Sequence, residues 1–199
     1  MMCNVLNAYA EAAQKLAILP PEDAAARSGA VYDREKGIFL FPYFGREYEI
    51  DRNGRIFCAG QNNVPYNDRV IMVQYLCLAS GLPPRGRWLS FLELPDGSHH
   101  YAPFQTDATN PLAKRFGRDP DGFQRAARTL GGTPLEMGDL GFKIPALPKL
   151  PLAVILWEGD EEFSAQTNIL FDAVAPTHLS TATLWVLGVE LARKMLAVK

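Results

Sequence analysis

The densest group of reactive side chains in this sequence is an acidic segment in its C-terminal third. Four carboxylates fall within the five residues from Glu158 to Glu162, directly after an apolar run. Such carboxylates can bind a hard cation, with Asp172 or a histidine completing the shell. If burial separates their pKa values, a pair of them can also act as acid and base. A solvated β-turn is the alternative. The predicted ligands of a divalent metal ion are Glu158, Asp160, Glu162, Asp172, His99 and His100.

The histidine pair His99-His100 follows a predicted hairpin turn and precedes Tyr101. Neutral imidazole is a common metal ligand and transfers protons near neutral pH. In an extended segment, however, neighbouring side chains point to opposite faces, so both can line one site only across a bulge. Exposed or hydrogen-bonded turn histidines are the alternative. His178 is predicted to lie in a loop ahead of a helix cap.

A basic segment, Lys114 to Arg128, holds five cations against two carboxylates. Predicted helices start at Pro111 and Pro120, and free backbone N–H groups at helix N-termini suit anions. A phosphate- or carboxylate-bearing ligand is therefore one prediction, and a charged helix face that keeps the protein in solution is the other. The candidate ligand-binding residues are Arg115, Arg118 and Arg125.

Composition excludes several classes of protein. The 199 residues are 48% hydrophobic and 21% charged, which excludes a disordered chain and a coiled coil. Twenty Lys and Arg against 22 Asp and Glu leave no basic excess, so no nucleic-acid partner is predicted. The common nucleotide-binding, zinc-protease and serine-hydrolase motifs are absent from the sequence.

The cysteines and the N-terminus indicate the compartment. Cys3, Cys58 and Cys77 are odd in number and far apart, without a Cys-x-x-Cys pair. They predict neither a disulfide framework nor a self-contained iron–sulfur cluster. The first residues lack the basic and apolar regions of a signal peptide. No apolar stretch reaches the roughly 20 residues that span a bilayer, so the prediction is a cytoplasmic protein without a membrane partner.

Apolar periodicity predicts a single α+β domain over residues 1–199, with a mainly antiparallel sheet and about five helices, including N- and C-terminal ones. Helices are predicted at residues 4–18, 22–27, 67–80, 110–116 and 119–130, and after Ser180. Asn110 and Asp119 are predicted helix caps, and the inner face of the last helix is Leu184, Leu187, Leu191 and Met195.

Four further segments are predicted to form strands. Residues 30–58 alternate and contain the Asn53-Gly54 turn, which predicts three or four antiparallel strands. Trp88–Leu94 is predicted as another strand. The continuous apolar run Leu152–Trp157 is the predicted central strand, paired with Phe163–Phe171. The acidic segment then lies at the tip of their hairpin.

The chain resembles a known family in several segments. These are Pro151-Leu152, Ile155 to Phe163, Ile169 to Asp172 and Leu179-Ser180, with upstream matches such as Trp88 to Leu94 and Leu130-Gly131-Gly132. Together they resemble an uncharacterised prokaryotic domain family found chiefly in anaerobes, some members of which are joined to an iron–sulfur cluster domain. The resemblance implies an anaerobic redox setting, in metal or tetrapyrrole metabolism. This chain lacks the cysteine cluster of the fused members, so the implied iron–sulfur or redox partner is a separate chain.

Three functions follow as alternatives. The first is a non-catalytic binding or accessory module. The second is a divalent-metal-assisted hydrolase or transferase, which requires the acidic turn at 158–162 or Asp172 to converge with His99 or His100. The third is a protein-interaction domain, marked by an exposed patch of Phe39, Phe41, Tyr43 and Phe44.

Overall fold

The first two helices pack against the third. A computed structural model of the chain describes residues 8–60 and 63–198. Helix α1 spans Ala8–Ile18 and α2 spans Pro21–Ser28, and Gly29 ends α2 with a positive φ of 79°. Both predicted helices are confirmed; the predicted start of the first, at residues 4–7, lies outside the described residues. Helix α3, Tyr66–Leu78, packs against both.

The described residues form two antiparallel sheets, where one was predicted. The first has the strand order β1-β2-β3-β4, with β1 Val31–Asp33, β2 Ile38–Tyr43, β3 Arg46–Asp51 and β4 Ile56–Phe57. The strands predicted between residues 30 and 58 are confirmed. The predicted exposed patch is wrong: Phe39, Phe41, Tyr43 and Phe44 are all buried, because alternate residues of β2 face the core.

The second sheet has the order β5-β9-β8-β7-β6. Its strands are β5 Trp88–Ser90, β6 Thr133–Pro134, β7 Leu140–Leu147, β8 Leu150–Trp157 and β9 Gln166–Asp172. The central position of β8 and its pairing with β9 are confirmed. The strand predicted to run to Leu94 ends at Ser90 instead. The Glu93 carboxylate accepts from the Ser90 N–H and hydroxyl, which begins a 3₁₀ turn over Phe91–Glu93.

A continuous helical stretch precedes the charged segment. Helix α4, Tyr101–Phe104, passes through a π-helical turn, Gln105–Thr109, into α5, Asn110–Phe116. The prediction that Asn110 caps a helix is therefore wrong. Its N–H donates to the Gln105 carbonyl inside the helical stretch. Helix α6, Pro120–Thr129, does begin as predicted, because the Asp119 side chain accepts from the Gly122 N–H.

The C-terminal helix closes the core. A short α7, Ala175–His178, leads to α8, Thr181–Leu196, which Ser180 caps by accepting from the Thr183 N–H. The predicted inner face of α8 is buried in the main hydrophobic cluster, which also includes residues of α1 and both sheets. The mixed α+β class is thus confirmed. None of the helices in the described part of the chain combines the length and apolar character needed to cross a membrane.

Candidate functional site

The two charged segments predicted separately from the sequence meet in one open groove. It has a volume of about 750 Å³ and lies between the turn joining α5 to α6 and the loop joining β8 to β9. Its charged lining residues are Lys114, Arg115, Arg118, Asp119, Asp160, Glu161 and Glu162. We call this feature the charged groove. The three cations thus lie on one wall, together with Asp119, and the charged residues of the other wall are all carboxylates.

The basic wall is built on the end of α5. Arg115 pairs with Asp119 at 2.6 Å and lies over the Phe116 ring, 4.9 Å from its centroid. The hydrogen bond from Arg115, with that from the Gly122 N–H, lowers the pKa of Asp119 below its usual range. Asp119 is therefore an ionised cap of α6. Lys114 and Arg118 are exposed and make no ion pair within the described residues.

The acidic wall is ordered by its own first carboxylate. Asp160 Oδ1 accepts from the Glu162 N–H at 2.8 Å and the Phe163 N–H at 2.6 Å, and these bonds lower the pKa of Asp160. The Asp160 N–H closes the turn by donating to the Phe163 carbonyl. One oxygen of Asp160 is thus used by the loop. Glu161 and Glu162 line the groove, exposed and without an ion pair in the described part of the chain.

A close approach of two small residues sets the distance between the walls. A Cβ added at Gly117 would lie 2.3 Å from the Ala165 Cβ, so only glycine fits there without a shift. The Gly159 N–H donates to the Gly117 carbonyl at 3.5 Å, a weak contact. A stronger one lies nearby, where the Thr167 hydroxyl donates to the Thr109 carbonyl at 2.6 Å. The π-helical turn that ends at Thr109 is thereby tied to the start of β9.

The other predicted site residues lie elsewhere. Glu158 and Arg125 do not line the groove. Asp172 lies at the opposite end of β9 from the acidic loop, roughly 20 Å along the strand. His99 and His100 precede the helical stretch from Tyr101 to Phe116, whose far end lines the groove. That stretch is roughly 24 Å long at 1.5 Å per residue. The structure therefore does not bring Asp172, His99 or His100 to the acidic loop. Within residues 8–60 and 63–198, no three His, Cys, Asp or Glu side chains are placed to hold a metal ion.

Asp172 is instead a buried backbone clamp. Its carboxylate accepts from the N–H groups of Arg85 at 2.9 Å, Gly86 at 2.7 Å and Val174 at 2.9 Å. A carboxylate that accepts several backbone N–H groups is compensated for its burial. Asp172 therefore holds the loop before β5 to the end of β9, and this use of its oxygens explains its burial without a metal.

His178 was predicted to lie in a loop, but it ends helix α7 and is 1% exposed. Its Nδ1 accepts from the Ser80 N–H at 3.1 Å, so the neutral ring carries its proton on Nε2. Nε2 has no hydrogen-bond partner in the described residues. Burial lowers the pKa of His178. The available sequence signal for a helix here was the proline two residues before His178, because proline is favoured in the first turn of a helix.

Sequence reasoning also missed a buried ionic cluster. Asp68 is 1% exposed, and both its oxygens are hydrogen-bonded, one by Tyr43 and one by Lys194. Lys194 lies 126 residues further along the chain than Asp68. An acidic residue near the start of α3 looks like an ordinary first-turn carboxylate, so only the fold reveals its partner.

The structure is thus that of an α+β domain with two antiparallel sheets and a charged groove between helix and hairpin. Residues 20–194 match the family model described as "Domain of unknown function (DUF3786)". The chain belongs to this family, which confirms the resemblance to an uncharacterised domain family. No curated protein and no solved structure matches the chain.

Proposed function

We propose that this protein is a cytoplasmic, non-catalytic binding module whose charged groove holds a segment of a partner protein. The observation that carries the proposal is that unpaired charges of both signs line one groove. Lys114 and Arg118 lie on one wall and Glu161 and Glu162 on the other, and none of the four makes an ion pair within residues 8–60 and 63–198. Charges left unsatisfied within the molecule are available to complementary charges on a partner, which fix orientation and accelerate association.

The shape and lining of the groove favour a protein over a small molecule. Small-molecule sites are concave and mostly apolar, and they bury most of the ligand. The charged groove is open and its loop wall is exposed from Asp160 to Ser164. Phe163, on that wall, is 70% exposed. Exposed aromatic and arginine side chains grouped together are typical centres of protein–protein binding energy.

We further propose that the partner is a separate iron–sulfur or redox protein of anaerobic metal, tetrapyrrole or redox metabolism. This part of the proposal is supported by the family resemblance. The sequence itself contains three scattered cysteines. Of the described ones, Cys77 is buried and Cys58 is partly exposed, and both are free thiols. A cluster used by this module would therefore be carried by the partner chain.

The test compares charge reversals on the two walls. The tagged full chain is expressed in its native host without oxygen, as wild type, as K114E/R118E and as E161K/E162K. Proteins that co-purify are quantified by mass spectrometry. We expect one partner to be lost from both groove variants, because reversing either wall places like charges across the interface. The partner is then purified, and its affinity for the three forms is measured at two salt concentrations.

The matched controls are E35K and K36E, which reverse exposed charges in the turn between β1 and β2. They should retain the partner at the wild-type level. A protein that both groove variants retain, or that the controls also lose, contradicts the groove as its binding site. If the recovered partner carries neither a cluster nor another redox group, the redox assignment is wrong while the groove proposal stands.

A further inference from the structure

A second cavity lies between the β2–β3 turn and the end of α8. Its volume is about 370 Å³, within the range of small-molecule sites. Three aromatic side chains line it, those of Tyr43, Phe44 and Tyr48. Pro65, Leu130 and Val198 also line it. We call this cavity the aromatic pocket. It is separate from the charged groove and shares none of its lining residues.

Asp68 and Lys194 form a buried ion pair at the base of the pocket, which we call the ionic floor. Asp68 Oδ1 accepts from the Tyr43 hydroxyl at 2.7 Å, and Oδ2 accepts from Lys194 Nζ at 2.7 Å. The same Nζ lies 5.1 Å from the Tyr43 ring centroid and 5.6 Å from that of Phe44. The Asp68 charge is therefore compensated. An ammonium group has three donors, and Asp68 is the acceptor of Lys194 among the described residues.

A second cation lies at the rim. Arg46 lines the pocket, is exposed and makes no ion pair within residues 8–60 and 63–198. Two cations thus accompany the one carboxylate of Asp68, which leaves one net positive charge in the pocket. Burial raises the pKa of Tyr48 to about 12, so its phenol adds no negative charge at neutral pH. The electrostatics of the pocket favour an anion.

The backbone of the turn is strained at the pocket wall. Phe44 has a φ of 46° and Gly45 a φ of 73°, the left-handed pair that hairpin turns normally build from Asn-Gly. A bulky residue with positive φ is uncommon, and such strain is concentrated at binding and active sites. The Phe44 N–H donates to the Ala146 carbonyl, which holds the turn in place. The strained backbone places the Phe44 ring beside Lys194.

We propose that the aromatic pocket binds a small molecule with a planar ring and a carboxylate. The ring packs on Tyr43, Phe44 and Tyr48, and the carboxylate accepts from Arg46 and from the remaining donors of Lys194. A cationic ligand does not fit, because both Asp68 oxygens are already hydrogen-bonded and Arg46 and Lys194 would repel it. This site is independent of the partner proposed for the groove, so either proposal can fail alone.

The probe is benzoate, titrated into the full chain by calorimetry and followed by NMR shifts of the pocket residues. Benzamide and cyclohexanecarboxylate separate the contributions of charge and ring, and benzylamine reverses the charge. We expect saturable benzoate binding, about tenfold weaker binding of benzamide, and no binding of benzylamine, because a charge-assisted hydrogen bond is lost or replaced by repulsion. Cyclohexanecarboxylate should bind more weakly than benzoate. The proposal is overturned if benzoate binding does not saturate, or if benzylamine binds as tightly as benzoate.

The informative variant is Arg46→Gln, because Arg46 is exposed and makes no ion pair in the described part of the chain, so its loss should leave the fold intact. We expect it to weaken benzoate binding about tenfold with an unchanged thermal midpoint. Lys36→Gln, which removes one charge from the opposite turn of the same sheet, is the matched control and should bind like wild type. Equal affinity of R46Q and wild type, or equal loss in K36Q, overturns the site.

Discussion

The charged groove and the aromatic pocket differ in how the fold holds their charges. In the groove, Lys114 and Glu162 are exposed and unpaired within the described residues. In the pocket, Asp68 is 1% exposed and bonded on both oxygens. Exposed charges contribute little to stability, whereas breaking a buried pair is costly. The groove is therefore free to serve binding, while the pocket must serve folding as well.

The difference also concerns the elements that build each region. The groove depends on a loop and a helix end joined by short-range turns, such as that made by Asp160. The pocket joins β2, α3 and α8 through side chains far apart in sequence. Variants in the two regions should consequently separate binding from stability. Four predictions follow, in order of decreasing effect on the free energy of unfolding.

Lys194→Met should have the largest effect. It leaves the Asp68 carboxylate buried without its cation, which typically costs about 3–5 kcal/mol. Urea unfolding of the full chain measures the loss. The double variant D68N/K194M removes both charges and keeps an acceptor for the Tyr43 hydroxyl, so it should recover a large part of the stability. If K194M unfolds at the same urea concentration as wild type, the ionic floor is not part of the core.

Gly117→Ala should come next, because its Cβ would lie 2.3 Å from the Ala165 Cβ and 2.6 Å from the Ala113 carbonyl oxygen. Overpacking of this kind costs about 1–3 kcal/mol. The loop wall should move away from α5, which weakens partner binding as well as stability. Adding A165G should restore part of both, and thermal unfolding of the two variants checks this. A G117A protein as stable as wild type would show that the approach of the walls is not a constraint.

The sequence predicted individual helices and strands better than the tertiary contacts between them. Leu152–Trp157 is apolar throughout, so its central position follows from composition alone. Asp119 and Pro120 similarly predicted the start of α6. The strand predicted through Leu94 failed because Ser90 and Glu93 form a capping box, a pattern that was visible but was outweighed by apolar residues. Two local signals, apolar strand residues and a helix cap, therefore occur in the same segment, and the hydrogen-bonded cap determines its structure.

Both charged walls of the groove were predicted, but not their meeting. That meeting depends on the contact of Thr167 with Thr109, 58 residues apart, and on the fit of Gly117 against Ala165. No periodicity encodes such contacts. The predicted metal ligands likewise do not all meet in the described residues, because Asp172 lies at the far end of β9 and its oxygens accept from backbone N–H groups. The residue types suggested a shared site, but the direction of β9 places Asp172 away from the acidic loop.

His178 predicts a pH-dependent stability that belongs to neither region. Burial lowers its pKa in the folded protein below the reference value of 6.5, so the unfolded chain binds a proton more readily. Stability is then complete above about pH 6.5 and falls as the pH drops below it, by about 1.4 kcal/mol per unit of pKa difference. The charge of Lys149 also opposes protonation, whereas the charge of Asp172 and backbone contacts with Leu82 and Lys149 favour it. Unfolding free energies at pH 7.5 and 5.5 measure the slope.

Two variants, each replacing one histidine, show whether His178 causes this pH dependence. H178N keeps an acceptor for the Ser80 N–H but removes the titration, so its stability should depend less on pH than that of wild type. H99Q removes an exposed histidine and should leave the slope unchanged. A slope that survives in H178N would assign the pH dependence to other groups.

E161Q/E162Q should have the smallest effect on stability, and that small effect is what separates the groove from the pocket. Neither carboxylate has an ion pair in the described part of the chain, and neither orders the loop as Asp160 does. Neutralising each should change the unfolding free energy by no more than about 0.5 kcal/mol. Partner binding should nevertheless weaken, because two of the three carboxylates on the acidic wall are neutralised. Urea unfolding and partner affinity must be measured on the same preparation: a loss of stability comparable to that of K194M would make the acidic wall part of the core, and the contrast between the two regions would disappear.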